Sequence, residues 1–250
     1  MNNKFIYFNK IIDSNNDMAA YKSLSILIIF SILTLGCHKK TVPSVTPDMP
    51  TQGFTYLALG DSYTIGQSVA EKERYPNQLA DSLKVKNIQI GYIRNIARTG
   101  WTTDELKNNI PEYGIKDSTF DVVSLLIGVN NQYRGRSVEP YKSEFKELLD
   151  EAIKRAKGRK DRVFVVSIPD YAYTRFGGGD ANISKGIDEY NAANKKIANT
   201  EGVLYIDITP ISRNGLKDPT LVASDGLHPS GKQYSLWVNL MLPEILKLLK

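Results

Sequence analysis

The sequence has 250 residues, of which 42% are hydrophobic and 24% charged, with one Cys, two His and a formal net charge of +5. This composition is that of a globular domain, and it excludes disordered, collagen-like and disulfide-stapled chains. The Cys and His residues are too few for a structural zinc site. The basic residues are interleaved with acidic ones, so we predict neither a metal nor a nucleic-acid partner.

The first predicted element is an apolar segment at residues 24–37, LSILIIFSILTLGC. At about 1.5 Å per residue, a helix of this length is too short to cross a hydrocarbon core of ~30 Å. The segment therefore favours a signal peptide over a membrane span. A second Met at position 18 would begin a signal of conventional length, and we expect translation to start at Met18 rather than Met1.

The apolar segment ends at Cys37, directly after the small residue Gly36. This ending resembles the lipobox of bacterial lipoproteins, whose Cys is lipidated and becomes the mature N-terminus. Thr34 stands where that motif usually has Leu. The resemblance implies a signal peptide over residues 1–37 and a lipid anchor at Cys37, and a buried free Cys on a core helix is the alternative.

Residues 38–52, HKKTVPSVTPDMPTQ, contain three Pro and no apolar periodicity. Such a segment predicts a flexible, semi-extended tether of up to about 45 Å, at ~3.1 Å per residue. Because each buried CH₂ of a lipid contributes ~0.8 kcal/mol, a multiply acylated Cys37 would hold the following domain at a membrane surface. We therefore expect the protein to be extracytoplasmic, in the periplasm or at the cell surface of a bacterium.

Residues 53–250 alternate short apolar runs with longer amphipathic ones. Nearly continuous apolar and β-branched runs predict strands that are buried on both faces, and these lie at residues 54–59, 88–96, 122–127, 163–168 and 203–208. Apolar residues at helical spacing predict helices at residues 77–84, 103–110, 137–157 and 183–198, and from 231 with an interruption at Pro243. Strands that alternate with helices predict a three-layer α/β/α domain with a five-stranded parallel sheet, a flavodoxin-like arrangement.

Chemically useful residues follow several of the predicted strands. Ser62 follows the first strand, Gly100 the second and Asn130 the third, and Asp225 and His228 precede the last helix. Ligands of such sheets bind at the carboxyl ends of the strands, so we expect these residues to lie together.

These four blocks, in this order, resemble those of the GDSL esterase/lipase family, also called SGNH hydrolases, over nearly all of residues 53–250. The resemblance implies that Ser62 is the nucleophile and that His228 is the base, oriented by Asp225. It also implies that the Ser62 amide, Gly100 and Asn130 form the oxyanion hole, and that no cofactor is needed. Asn131 departs from the family, which commonly has Asp there, and this puts local loop bracing in doubt.

The residues support the same assignment without the family name. A serine hydroxyl needs a base, and the base needs a partner that fixes its tautomer. His38 lies in the tether, which leaves His228, and Asp225 is three residues before it on a turn that Gly226 permits. The alternatives are structural: a helix cap at Ser62, a solvated loop at His228, and turn residues at the other positions.

The sequence lacks the motifs of a conventional α/β-hydrolase and of a nucleotide-binding domain. A conventional α/β-hydrolase requires G-x-S-x-G around its nucleophile, and here Thr64 replaces the second glycine. Neither phosphate-binding glycine motif follows a predicted strand, so we predict no nucleotide cofactor.

The substrate loop is predicted at residues 169–182, after the fourth strand. It contains Tyr171, Tyr173, Arg175 and Phe176, followed by three glycines, and this predicts an aromatic wall on a mobile hinge. Tyr133 is a further candidate to line the cleft. The alternative is a surface loop whose aromatic residues pack on the flank of the domain.

These features predict a lipid-anchored serine esterase that removes short acyl groups. Acetyl groups on glycans are favoured over lysophospholipids and acyl thioesters, because no long apolar insertion suggests a deep acyl tunnel. The aromatic and arginine residues suit either a sugar ring or an anionic head group. A glycan-binding surface lipoprotein without catalysis is the second hypothesis, and the complete set Ser62, Asp225 and His228 argues against it.

Overall fold

A computed structural model describes residues 52–250 of the chain. The predicted signal peptide, nearly all of the predicted tether and the predicted lipidation site Cys37 lie outside the described residues. The strands are β1 (Phe54–Gly60), β2 (Ile90–Ala97), β3 (Val122–Leu126), β4 (Val163–Val166) and β5 (Leu204–Ile206). The α-helices are α1 (Ser62–Ile65), α2 (Tyr75–Val85), α3 (Thr103–Asn109), α4 (Val129–Tyr133), α5 (Val138–Arg155), α6 (Ala181–Glu201), α7 (Thr209–Ser212) and α8 (Gly231–Leu248).

The five strands form one parallel sheet in the order β2-β1-β3-β4-β5. All residues of β3 and β4 are buried, as their continuous apolar runs predict. The predicted five-stranded parallel α/β fold is thus confirmed. Since β1 lies between β2 and β3, the connections reverse direction there, and the crevice at the carboxyl ends of β1 and β3 is the expected ligand site of such a sheet.

The helices form two groups. Helix α2 packs against α8, and α5 packs against α3, α6 and β3. The apolar stripe predicted for α5 is the face that it buries, with Tyr141, Phe145 and Leu148 at 1% exposure or less. The Ser137 side chain accepts a hydrogen bond from the backbone N–H of Glu139 and so caps the start of α5.

Helix α8 differs from its prediction because it continues through Pro243 to Leu248. A proline inside a helix removes one backbone hydrogen bond. Met241 and Ile245, on either side of Pro243, are both completely buried. We infer that this burial offsets the lost hydrogen bond, which a sequence rule for proline does not take into account.

Aromatic residues join α8 to α2 and to α1. Tyr75 of α2 and Tyr234 and Trp237 of α8 have no exposed surface, and the rings of Tyr234 and Trp237 meet edge-on with centroids 4.9 Å apart. The Tyr234 hydroxyl donates to the backbone carbonyl of Tyr63 at 2.9 Å. This bond connects α8 directly to α1, the helix that begins with Ser62.

A search for membrane-spanning helices covered residues 52–250. In that part of the chain, every helix is too short or too polar to cross a bilayer.

Candidate active site

Ser62 is the first residue of α1, a single turn that directly follows β1. Asp61 caps this turn, because its carboxylate accepts a hydrogen bond from the backbone N–H of Tyr63 at 3.0 Å. Gly60 has no room for a side chain, since a Cβ there would lie 2.4 Å from the carbonyl oxygen of Leu126. The close approach of β1 and β3 and the capped turn together hold Ser62 at the edge of a cavity, where it is 4% exposed.

His228 and Asp225 form a hydrogen-bonded pair on the loop before α8. The distance from His228 Nδ1 to Asp225 Oδ2 is 2.6 Å. Asp225 Oδ1 accepts from the backbone N–H groups of Leu227 at 2.9 Å and His228 at 3.0 Å. Gly226, between them, has a φ of +76°, a conformation that favours glycine. The tight turn therefore positions the carboxylate against one ring nitrogen of His228, as its spacing predicts.

Asp225 is held in its charged form. Partial burial by itself would raise the pKa of this carboxyl, but hydrogen bonds from Ser68, Leu227 and His228 outweigh it and hold the pKa well below its usual range. The carboxylate is therefore available to stabilise a protonated His228 at neutral pH.

Ser62 and His228 line the same cavity, although no hydrogen bond of 3.5 Å or less joins their side chains. Longer contacts between a nucleophile and its base are common in the absence of substrate. The arrangement has the composition required for acyl transfer, with a hydroxyl and an imidazole at one cavity and a carboxylate hydrogen-bonded to the imidazole.

Gly100 and Asn130 lie at the same cavity. Gly100 follows β2 with a φ of +86°, and its carbonyl accepts a hydrogen bond from the Arg134 side chain at 2.7 Å. The Asn130 amide donates one hydrogen to the carbonyl of Trp101 at 2.9 Å. Its second amide hydrogen is available for a ligand. Gly100 has no side chain that could cover its own backbone N–H, so that N–H is available as well.

Asn131 braces the loop after β3, although the family commonly has Asp at this position. It is 1% exposed, its Oδ1 accepts from the Thr103 N–H at 3.1 Å, and its Nδ2 donates to Thr103 Oγ1 at 2.7 Å. Thr103 Oγ1 in turn donates to Glu144 of α5. The Thr103 hydroxyl thus accepts a hydrogen bond from the amide of Asn131 and donates one to the carboxylate of Glu144, and these bonds link α4, α3 and α5.

The cavity has a volume of about 210 Å³. The residues that line it are Ser62, Tyr63, Thr99, Gly100, Val129, Asn130, Tyr133, Tyr171, Phe176, Leu227 and His228. Tyr133, Tyr171 and Phe176 form one wall, with ring centroids 6.1 to 6.3 Å apart. Tyr133 is 59% exposed and Phe176 55%, so both present aromatic surface to solvent at the rim.

The other predicted substrate residues lie elsewhere. Tyr173 is half-buried and does not line this cavity, and Arg175 lines a neighbouring cavity together with Gly226. Since successive residues of the loop point in different directions, Phe176 reaches the first cavity and Arg175 the second.

The three glycines after Phe176 close a compact turn in this structure. Each of their N–H groups donates to Thr174 or Ala172 at 2.8 to 3.1 Å, and a Cβ at Gly177 would lie 2.0 Å from the carbonyl of Tyr171. The Phe176 N–H also donates to the carbonyl of Gly226 at 3.0 Å. The sequence predicts a mobile hinge here, and the structure shows a loop whose backbone is hydrogen-bonded to itself and to the loop of His228.

Sequence reasoning did not find Ser68, whose hydroxyl donates to Asp225 Oδ2 at 2.6 Å. The two residues are 157 positions apart, and no local pattern signals such a contact. Within residues 52–250 there is also no group of three or more His, Cys, Asp and Glu side chains placed to hold a metal ion.

Comparisons with known proteins identify the family and the fold of the chain. The family model for GDSL-like lipase/acylhydrolases matches residues 58–236, whereas no curated protein matches the chain. Three solved structures are similar in fold. TesA is 16% identical with a TM-score of 0.62, over 78% of this chain and 99% of its own. An acetyl xylan esterase from Geobacillus stearothermophilus is 22% identical with a TM-score of 0.61, over 78% and 95%.

The third is a lipase/acylhydrolase from Enterococcus faecalis, which is 20% identical with a TM-score of 0.60, over 79% of this chain and 97% of its own. At these identities the structures establish a shared fold, whereas the family model covers most of the chain. The chain belongs to the GDSL-like lipase/acylhydrolase family and is a carboxylic ester hydrolase.

Proposed function

We propose that this hydrolase is a serine esterase in which Ser62 is the nucleophile, His228 the general base and Asp225 the partner of His228. One observation carries the proposal: a single cavity is lined by Ser62, His228, Gly100 and Asn130, and Nδ1 of His228 is hydrogen-bonded to the charged carboxylate of Asp225. A nucleophile, a base and two candidate oxyanion donors are thus available to one ester group.

The proposed reaction has two halves. Ser62 Oγ attacks the ester carbonyl while its proton passes to Nε2 of His228, and the oxyanion is held by the Ser62 and Gly100 amides and by the Asn130 side chain. Collapse breaks the bond to the alcohol, which takes the proton from His228. Water then attacks the acyl-enzyme while His228 accepts its proton. Collapse breaks the bond between the acyl carbon and Ser62 Oγ, which takes the proton back from His228 as the acid leaves. Asp225 stays charged throughout, and no cofactor is needed.

Short acyl groups on glycans are the proposed substrates. A cavity of about 210 Å³ suits an acetyl group better than a long acyl chain. The exposed rings of Tyr133 and Phe176 at the rim offer flat apolar faces on which a sugar ring can stack. One structural neighbour is an acetyl xylan esterase. These features favour a glycan ester over an acyl thioester or a lysophospholipid.

The proposal also includes a lipid anchor at Cys37 that places the enzyme outside the cytoplasm. The apolar segment that ends at Gly36-Cys37 and the proline-rich residues 38–52 support it. Growth with a labelled fatty acid should label the wild-type chain and leave Cys37→Ser unlabelled. Equal labelling of both chains would contradict the anchor.

The nucleophile is tested with p-nitrophenyl acetate, butyrate and octanoate. The purified wild-type chain should hydrolyse acetate fastest, and Ser62→Ala should lose at least about 10³-fold in kcat. Ser224→Ala is the matched control, because Ser224 is exposed and lies next to Asp225 but not in the cavity of Ser62. Equal turnover by Ser62→Ala and wild type would contradict the nucleophile, and an absence of turnover by wild type would favour the glycan-binding hypothesis.

A further inference from the structure

The carboxylate of Asp225 accepts four hydrogen bonds, and one comes from a distant part of the chain. Its Oδ1 accepts from two backbone N–H groups of its own turn. Its Oδ2 accepts from His228 Nδ1 at 2.6 Å and from Ser68 Oγ, also at 2.6 Å. The hydroxyl of Ser68 and the imidazole of His228 therefore share a single oxygen, and the Ser68 bond is the only one that reaches Asp225 from outside residues 225–228 in the described part of the chain.

Ser68 holds this position at a cost in backbone energy. Its φ is +66°, and only Asn87 and Lys157 share a positive φ among the non-glycine residues of the described range. Those two lie two residues after the ends of α2 and α5, directly after each C-cap, where such a conformation is ordinary. A serine in the left-handed region costs about 1 kcal/mol, which glycine would avoid. Glycine, however, would have no hydroxyl for Asp225.

The segment that carries Ser68 is attached to the nucleophile turn. The Gln67 N–H donates to the carbonyl of Ser62 at 3.0 Å, and the Gln67 side chain accepts from Thr99 Oγ1 at 2.6 Å. Ser68 therefore links the loop after Ser62 to the loop of Asp225 and His228. The distance between nucleophile and base depends on how these two loops are held relative to each other.

We propose that Ser68 is a positioning residue for the Asp225–His228 pair, and this inference rests on the proposed serine esterase function. Its hydrogen bond orients the carboxylate so that Oδ2 meets Nδ1 of His228. The same bond withdraws charge from Oδ2, which keeps the carboxylate ionised and moderates its attraction for a protonated imidazole. The Ser68 proton stays on Oγ during the reaction, and Ser68 does not touch the ester.

Other titratable groups surround the pair, and their effects must be separated from that of Ser68. The Tyr63 ring meets the His228 ring edge-on at 5.6 Å, and the Arg175 guanidinium lies against Gly226. Asp61, Asp170 and Tyr171 are also near Tyr63. In residues 52–250 none of these side chains donates a hydrogen bond to Asp225, so a change at Ser68 alters the carboxylate's partners while the other groups stay in place.

The experiment uses two variants of the full chain that separate the hydroxyl from the backbone. Ser68→Gly removes the hydroxyl and relaxes the backbone, whereas Ser68→Thr keeps a hydroxyl and adds backbone strain. On p-nitrophenyl acetate, Ser68→Gly should lose about tenfold in kcat with a KM changed less than about twofold. The acidic limb of its kcat/KM profile should also move from its wild-type position, because the carboxylate that faces the imidazole has lost one of its hydrogen-bond donors. Ser68→Thr should resemble wild type in both measurements while its Tm falls.

The outcomes distinguish this inference from the proposed function. Wild-type kcat and an unshifted pH profile in Ser68→Gly would overturn the role of Ser68, provided that Ser62→Ala is inactive. Equal kinetic defects in Ser68→Gly and Ser68→Thr would assign the effect to the backbone and would also overturn it. Activity that survives in Ser62→Ala would instead overturn the serine esterase itself.

Discussion

Asn130 has two amide hydrogens, and the carbonyl of Trp101 takes one of them. In the proposed mechanism the other donates to the oxyanion, so Asn130→Ala removes a donor whose value is greatest in the transition state. We expect kcat on p-nitrophenyl acetate to fall about 10²- to 10³-fold with little change in KM. A loss in kcat smaller than about fivefold would remove Asn130 from the oxyanion hole.

Asp61, next to the nucleophile, is completely buried, and its Oδ2 has no hydrogen-bond partner among the described residues. Burial raises the pKa of this carboxyl from 3.8 to about 7. A carboxyl whose pKa is higher in the folded state stabilises the fold below the unfolded pKa, and this contribution is lost as pH rises through the folded pKa. Wild-type stability should therefore fall between about pH 4 and pH 7.

Asp61→Asn tests this expectation, because asparagine can still cap the Tyr63 N–H but cannot ionise. From the shift in the pKa of Asp61, the variant should exceed wild type at pH 8 by about 4 kcal/mol in free energy of unfolding. The difference should shrink towards pH 4. Urea unfolding across this range measures it, and a difference that does not depend on pH would contradict the buried charge.

At the level of elements, Thr103 at the start of α3 joins α4 to α5. Its hydroxyl accepts from the Asn131 amide and donates to Glu144. Asn131→Asp would place two carboxylates against one hydroxyl, which can donate to only one of them. We expect this variant to lose about 1 to 3 kcal/mol in free energy of unfolding at pH 7.

A second substitution should restore the brace with its polarity reversed. In Asn131→Asp combined with Glu144→Gln, the hydroxyl can donate to Asp and accept from Gln. Thermal unfolding of the two single variants and the double variant completes a cycle, and we expect the double variant to recover at least about half of the loss. Purely additive losses would show that the three groups do not act as a unit.

The aromatic wall is an element-scale feature because α4 supplies Tyr133 and the loop after β4 supplies Phe176. If a sugar ring stacks there, Tyr133→Ala and Phe176→Ala should each raise KM for acetylated xylo-oligosaccharides about three- to tenfold. KM for p-nitrophenyl acetate should change less, and Tyr173→Ala is the control from the same loop. Equal effects on both esters would place the acyl group, rather than the sugar, at this wall.

At the scale of the whole molecule, the packing of α2 on α8 holds the sheet and the nucleophile turn together. Trp237 is completely buried there, and its Nε1 has no hydrogen-bond partner among the described residues. Trp237→Ala should cost about 3 to 5 kcal/mol and lower Tm by roughly 10 °C or more. Trp237→Phe keeps a ring and loses no hydrogen bond, so it should cost about 1 to 2 kcal/mol. Similar Tm losses in both variants would contradict this account.

Much of the fold could be predicted because it depends on local pattern. The buried runs of β1, β3 and β4 and the apolar stripe of α5 occur where their periodicity predicts them. The one-turn helices α1 and α4 were not predicted, since four or five residues are too short to show a helical period. The passage of α8 through Pro243 was predicted wrongly, because buried neighbours on α8 override a local rule.

The sequence by itself determined which residues follow the strands and precede the last helix, and with that the proximity of Ser62, Gly100, Asn130 and His228. It could do so because a parallel sheet brings its carboxyl ends to one edge whatever the details of packing. Only the tertiary structure decided that Phe176 rather than Arg175 lines the cavity and that Ser68 binds Asp225. Those contacts depend on the directions of side chains in loops far apart in the chain, which no local pattern encodes.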